Sequence, residues 1–476
     1  MLGKLAASAA GAPQRVAMWP RDSHTIRWSG LRSGTAPATW GQEYMHDVLR
    51  SLRPDSHILN QVRVVALTGA CGTEDVLRAL RTLIARHDSL RVSFSCDDHG
   101  VLRQHLVAAA GTPVDCWHAQ DAGEETELLD HLRRRLGDPP FTPADARHFR
   151  VAVVTRAGRP SAVVWAASHV ICDAASARVI NRELGHLLEA PVPPQGAEPA
   201  ATARQPFEQA DLEQSARGRH INARALAYWE ERLRSMPPGW PGRTARPPET
   251  PRFCQGALTS TAAKLCCDAL ATALRVSTSS VLLAATAHAL AQLLGTSRVV
   301  LQTTAGNRAE RAVVGTVGNL AQTGVAVIDV DRSSFAETVR RAWIAGVQAY
   351  GHSHFRFRDL NQLIDAVARD RGEKVDLAFF FNDARVDNRA DPAALGTSVE
   401  ALRTSAQASA FRWREGLTRQ NISLLLVVTS APDAYVLSVL ADTTTFAPAE
   451  VEGTVAEIER VLLDAAAFAQ VTRETG

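Results

Sequence analysis

Several absences narrow the chain before any motif is read. Its seven cysteines (Cys71, Cys96, Cys116, Cys172, Cys254, Cys266 and Cys267) form no CxxC pair and show no ligand-like spacing with histidine, so a structural zinc is not expected. Their odd number and scatter predict free thiols in a reducing cytoplasm, not a disulfide framework. No stretch reaches the ~18 apolar residues of a membrane span, so no membrane contact is expected. Met1 to Ala12 is alanine-rich with one lysine, but its apolar run is too weak and broken for a secretory leader. An excess of one charge is missing as well: 52 Lys and Arg face 50 Asp and Glu, which argues against nucleic acid as a partner. Gly315, Gly318 and Gly324 lack the spacing of a phosphate-cradling loop. Gly-x-Ser-x-Gly is absent too, so a serine hydrolase finds no support.

What is present is ample core material. With 476 residues, 46% hydrophobic and 21% charged, the chain predicts a globular protein of two domains. Periodicity reads as mixed α/β. An extended arm with Trp19 and Trp28 covers 15–30, and a helix starts at Thr39-Trp40-Gly41-Gln42. A strand over 59–67 is followed by an amphipathic helix from Thr73, with Thr73 as a plausible N-cap. A hairpin joins 90–94 to 101–107, then come a helix near 124–136 and a strand near 149–155. The Pro/Ala/Gly-rich passage 191–206 reads as a linker, followed by one long polar helix over 207–236 and a second Pro-rich stretch. Helices at 262–274, 279–294, 335–349 and 448–468, with strands at 299–304, 324–330, 377–381, 421–429 and 435–440, make a second α/β unit. The expected division is an arm at 1–36, a first lobe at 37–190, a linker at 191–206 and a second lobe at 207–476. A cleft between two such lobes is a usual ligand site.

One stretch concentrates chemistry. The apolar run Ala162 to Ala167 reads as a buried strand, and Ala177 to Glu189 as a helix. Between them lies Ser168-His169-Val170-Ile171-Cys172-Asp173-Ala174-Ala175-Ser176, a strand-to-helix turn with a histidine and a carboxylate four residues apart. A neutral imidazole there can take a proton from an amine, alcohol or thiol near neutral pH. Asp173 would orient that ring or lock the turn through an arginine. From spacing alone the plainer reading, a strand-end histidine that is merely hydrogen-bonded, is favoured, because HxxxD is a weak pattern. Arg308, just after a strand, is either a partner for a buried carboxylate or a surface arginine in a turn. His352 and His354 lack a visible third metal ligand and read as a solvated loop.

Several segments together resemble a known family. Thr39-Trp40-Gly41-Gln42 is similar to its opening helix motif, and Arg86-His87-Asp88-Ser89-Leu90-Arg91-Val92-Ser93-Phe94 to RHExLRTxF. Ser168 to Ala174 takes the place of HHxxxDG, with serine for the first histidine and alanine for the glycine. Tyr228-Trp229-Glu230-Glu231-Arg232-Leu233 is similar to YWxxxL. Ala305-Gly306-Asn307-Arg308 followed by Val317 to Thr323 is similar to AGR and IGFFVNT. In order and spacing, from about Pro37 to Phe468, the chain resembles the condensation domains of nonribosomal peptide synthetases. These belong to the wider chloramphenicol-acetyltransferase-like acyltransferases.

The resemblance implies two acetyltransferase-like α/β lobes in a V with a tunnel between them. Phosphopantetheine arms of acyl or peptidyl carrier proteins would enter that tunnel as substrate arms, and no bound cofactor or metal is implied. His169 takes the place of the catalytic histidine, Asp173 that of the turn-holding carboxylate, and Arg308 resembles its partner. Ser168, Ala174 and Ser176 would support the site, and Gln322, standing where the family has asparagine, would line the tunnel. The expected function is a free-standing acyltransferase of natural-product assembly, meeting its carriers in trans and joining an acyl thioester to an amine or alcohol. A catalytically degenerate docking protein, or a coenzyme-A-dependent acyltransferase, is the alternative.

Overall fold

The computed structural model describes residues 19–69, 71–98, 100–143, 145–189, 203–237 and 245–474. In the first half these are β1 (Asp22–Ser29), β2 (Gly34–Pro37), α1 (Trp40–Ser51), β3 (Gln61–Ala66), α2 (Thr73–Arg86), β4 (Val92–Cys96), β5 (Leu102–Leu106), β6 (Ala109–Ala119), α3 (Ala122–Gly137), β7 (Phe149–Arg156), β8 (Arg159–Ala167) and α4 (Ala174–Glu189). Five strands form one sheet in the order β1-β6-β7-β8-β3, and β2, β5 and β4 form a small separate one. Strand β8 lies inside the sheet, between β7 and β3, and its side chains alternate between two cores. Val163, Trp165 and Ala167 pack with α2 and α4, whereas Ala162 and Val164 pack with Leu128 and Leu132 of α3. A strand covered on both faces is an unbroken apolar run, which is why 162–167 shows no alternation.

The second half comprises α5 (Pro206–Gln214), α6 (Ala216–Ser235), β9 (Phe253–Ser260), α7 (Thr261–Leu274), α8 (Thr278–Leu294), β10 (Arg298–Ala305), β11 (Gln322–Asp329), α9 (Phe335–Gly351), α10 (Phe357–Arg371), β12 (Phe379–Asp383), α11 (Val399–Gln407), β13 (Ala410–Leu417), β14 (Leu424–Ala431), β15 (Ala434–Asp442) and α12 (Pro448–Glu474). Its sheet runs β11-β10-β12-β14-β15-β9-β13. Residues of α7, α8, α9 and α12 share the larger core on this sheet, while Trp229 of α6 and Leu360 of α10 belong to a smaller one. The apolar helices α7 and α8 are buried in that larger core, and no single helix among the described residues is long and apolar enough to cross a membrane.

Several sequence readings change. Of the extended arm over 15–30, Asp22–Ser29 is β1, paired antiparallel with β6 and burying Ile26 and Trp28, while 15–18 lie outside the described residues. Helix α2 is capped by Gly72 instead of Thr73, with the Asp75 carboxylate accepting from the Gly72 N–H at 2.9 Å. The single polar helix over 207–236 is two helices, because Ser215 leaves the helical conformation and caps α6 by accepting from the Gly218 N–H. Of the expected linker, 191–202 lie outside the described residues, as do 238–244 of the second Pro-rich stretch.

The halves are stitched together by the loop after β10. Val317 is buried in the first half's core, and its carbonyl accepts from Ser89 Oγ at 2.7 Å. The Asn319 side chain donates to the Gly41 carbonyl of α1 at 2.8 Å. Buried Glu213 of α5 accepts from the Trp40 N–H at 2.7 Å and from Gln209, and its other neighbour, His354, lies at 3.0 Å. His354 also packs on the Trp40 ring, and His352 stacks on Tyr228 with ring centroids 4.4 Å apart. The two histidines expected in a solvated loop are therefore half-buried in packing between elements. No group of three potential metal ligands occurs among the described residues.

Candidate active site

The turn after β8 is short and fully determined. The Ser168 N–H donates to the His148 carbonyl at 3.0 Å, extending the β7–β8 ladder by one pair, and the Ile171 N–H closes a turn on the Ser168 carbonyl. Asp173 then caps α4: its Oδ1 accepts from the Ser176 N–H at 2.7 Å. The strand end and the helix start thus fix the ends of a six-residue turn, and His169 is its second residue.

Asp173 makes no hydrogen bond to His169; its partners lie elsewhere. Its carboxylate is buried and takes donors from Ser176 N–H, Ser176 Oγ, Arg308 Nη2 and the Leu320 N–H, at 2.7 to 3.1 Å. Of the two roles open to it, geometry gives the second, locking the turn through an arginine. Arg308 is the half-buried partner of that buried carboxylate and not a surface arginine. Its Nη1 donates to the Val313 and Thr316 carbonyls, and its Nη2 reaches Asp173, Ser176 and Gly318. Ser176 Oγ lies 2.7 Å from the Gly318 carbonyl and accepts from the Gly318 N–H at 3.0 Å, so it bridges the same two segments.

With Asp173 occupied, His169 is left free for other work. The ring is half-buried. Its Nδ1 is enclosed and has no well-formed hydrogen bond, its own backbone being the polar group that acts on it. Nε2 makes no hydrogen bond to a protein group among the described residues, so it is the nitrogen left free to take a proton. Desolvation by burial holds the ring's pKa below the usual histidine value, with Arg63 of β3 pushing the same way against Asp173. The imidazole is therefore neutral near pH 7, the form that accepts a proton. Cys172 beside it is no rival nucleophile, because burial pushes its thiol well above the ordinary range.

The supporting residues divide. Ser168 is buried, and its Oγ accepts only a long bond, 3.4 Å, from the Val170 N–H. Ala174, the first residue of α4, is exposed and has no left-handed backbone angle, so its methyl meets no strain where the motif has glycine. Gln322 does not line an open space. It is buried, its Nε2 donates to the Phe355 carbonyl at 2.8 Å, and its Oε1 accepts from the Phe355 N–H at 3.4 Å. One carbon longer than asparagine, its amide clamps β11 to the segment entering α10.

Sequence reasoning missed three residues around the turn. Arg63, opposite Trp165 in the sheet, acts on His169. Gly41 lets α1 approach so closely that a Cβ there would lie 2.3 Å from the Asn319 carbonyl oxygen. Buried His148 stands across from Ser168. Only Gly41 carried a signal, as part of the opening helix motif.

Comparison with known proteins gives the family and the fold. The Condensation domain family matches residues 33–471. One of the linear gramicidin synthase polypeptides of Brevibacillus parabrevis is 25% identical over 328 residues, covering 65% of this chain, which spans 6% of that much longer protein. Among solved structures, a condensation domain that mediates chain release from the enacyloxin polyketide synthase superposes with a TM-score of 0.70 at 23% identity, covering 92% of this chain and 84% of that one. The X-domain from teicoplanin biosynthesis gives 0.66 at 18% identity, covering 92% and 96%. At such identities these structures speak to the fold alone.

Proposed function

The chain belongs to the condensation domain family, and from that premise we propose that it is an acyltransferase using His169 to join a carrier-bound acyl thioester to an amine or alcohol. The observation that carries this reading is the state of His169: neutral, with Nε2 bonded to no protein group, and held in a turn whose carboxylate is committed elsewhere.

The chemistry follows from that placement. The acceptor's N–H or O–H donates its proton to Nε2 as the nitrogen or oxygen attacks the thioester carbonyl carbon. The tetrahedral intermediate collapses by breaking the carbon–sulfur bond. The phosphopantetheine thiolate leaves and takes back the proton from the imidazolium. Asp173 and Arg308 do not touch the reacting atoms in this scheme; they hold the turn so that the imidazole stays aimed, and positioning is worth several orders of magnitude in rate.

The proposal extends to substrates and partners. Acyl or peptidyl carrier proteins deliver the donor on their phosphopantetheine arms, and a small amine or alcohol is the acceptor. The test is to incubate the protein with carriers loaded with a panel of acyl groups, with amines and alcohols, and to read acyl loss by intact mass. Transfer that depends on the carrier supports the proposal. Equal transfer from acyl-coenzyme A moves the donor assignment to that thioester. A chain that transfers from neither source while still binding a carrier is the docking protein instead.

A further inference from the structure

His148 is the buried polar group near the site that the chemistry above does not use. It directly precedes β7, and Ser168 directly follows β8. Phe149 and Ala167 are paired in the ladder, and the Ser168 N–H to His148 carbonyl bond makes 148 and 168 the next opposed pair. Side chains of directly opposed residues share one side of a sheet. His148 is only 3% exposed, with its ring edge-on to Phe94 and stacked on Phe141 at centroid distances of 5.1 and 5.9 Å. Neither ring nitrogen has a well-formed hydrogen bond, although the Pro143 backbone acts on the ring.

His148 and Ser168 line the same small cavity, together with His46, Ser56, Phe94 and Phe141. Its volume is about 20 Å³, above the roughly 10–15 Å³ that one water requires, and a buried water needs two to four polar partners. A neutral imidazole offers one donor and one acceptor, and the Ser168 hydroxyl offers a donor with no acceptor yet assigned. The volume admits a water beside these two groups.

We propose that His148 is a positioning residue of the active-site turn: from the neighbouring strand it fills the space left by Ser168, and one water held between the two anchors the turn that carries His169. The imidazole missing from the end of β8 is in effect supplied from the start of β7. This rests on His169 as the working group of the site, but its test is read without turnover, so it can fail or succeed even in a chain that transfers no acyl group.

The experiment compares wild type with His148→Leu, Ser168→His and the double exchange, reading the unfolding midpoint and the rate at which diethyl pyrocarbonate modifies His169, mapped by peptide mass. His148→Leu should change the His169 rate severalfold with the fold retained. Ser168→His alone should lower the midpoint, because a second imidazole does not fit beside the first. The double exchange should restore both readouts to near wild type, the rate within about twofold, and His148→Gln, which keeps a polar group at the cavity, should keep a near-wild-type rate. Simply additive losses in the double exchange, or an unchanged His169 rate in His148→Leu, overturn the proposal.

Discussion

A single nitrogen of Arg308, Nη2, lies 2.9 Å from Oδ1 and 3.0 Å from Oδ2 of Asp173, joining the start of α4 in the first half to the loop after β10 in the second. Both side chains are largely buried, so neither charge has water to fall back on. The pair binds the active-site turn to the second half of the molecule.

Removing one partner of such a pair leaves a buried, uncompensated charge, a loss of about 3–5 kcal/mol. Asp173→Ala should lose that much in denaturant unfolding, and Arg308→Ala a comparable amount. The double substitution should lose less than the sum, because the two share one interaction. An Asp173→Ala protein as stable as wild type would remove the bridge from the account.

Acid stability gives a second check. Burial lowers the pKa of His148 to about 4 and that of His169 below its usual value. The folded state then binds fewer protons than the unfolded state between the unfolded value of ~6.5 and the folded one. Stability contributed by neutral burial is thus present above ~6.5 and lost as pH falls towards 4. For His148 the loss is on the order of 3 kcal/mol. Glu43 opposes this, since burial raises its carboxyl to about 7 despite Arg356, and a raised carboxyl stabilises at low pH. Comparison with His148→Leu isolates the histidine: unfolding midpoints followed from pH 7 to 4 should fall less steeply in the variant. Parallel curves would contradict the buried neutral ring.

Gly41 tests the fit between α1 and the crossing loop. A methyl group there meets the Asn319 carbonyl oxygen at 2.3 Å, backbone that cannot swing aside. Gly41→Ala should destabilise by about 1–3 kcal/mol, as overpacking does, although alanine is the better helix former. Calorimetry or denaturant unfolding reads it, and a stabilised variant would show that the two segments can separate freely.

How much of this was legible in the sequence depended on whether the signal was local. The apolar run 162–167, the turn after it and α4 could be read because a strand buried on both faces and an amphipathic helix leave strong patterns. The start of α1 was read at Thr39 to Gln42, where the structure shows the two side chains forming a capping box. By contrast β6, with Ala109-Ala110-Gly111-Thr112-Pro113 at its start, looks like loop and becomes a strand through pairing with β1 and β7. β13 is an exposed edge strand carrying Arg412, Arg414 and Glu415, charges that hide its period. At the site, the Asp173–Arg308 pair was implied only by the family resemblance, since 135 residues separate them. His148 could not be found that way. Its relation to Ser168 exists only in the ladder between two strands.

The central claim, that the turn works through His169, is tested most directly by comparing wild type with His169→Ala in single-turnover acyl transfer from a loaded carrier. Unfolding midpoints taken in parallel establish that the fold is kept. A general base contributes about 10²–10⁴-fold, so transfer should fall by that factor at an unchanged midpoint. Transfer at the wild-type rate by His169→Ala would contradict the account.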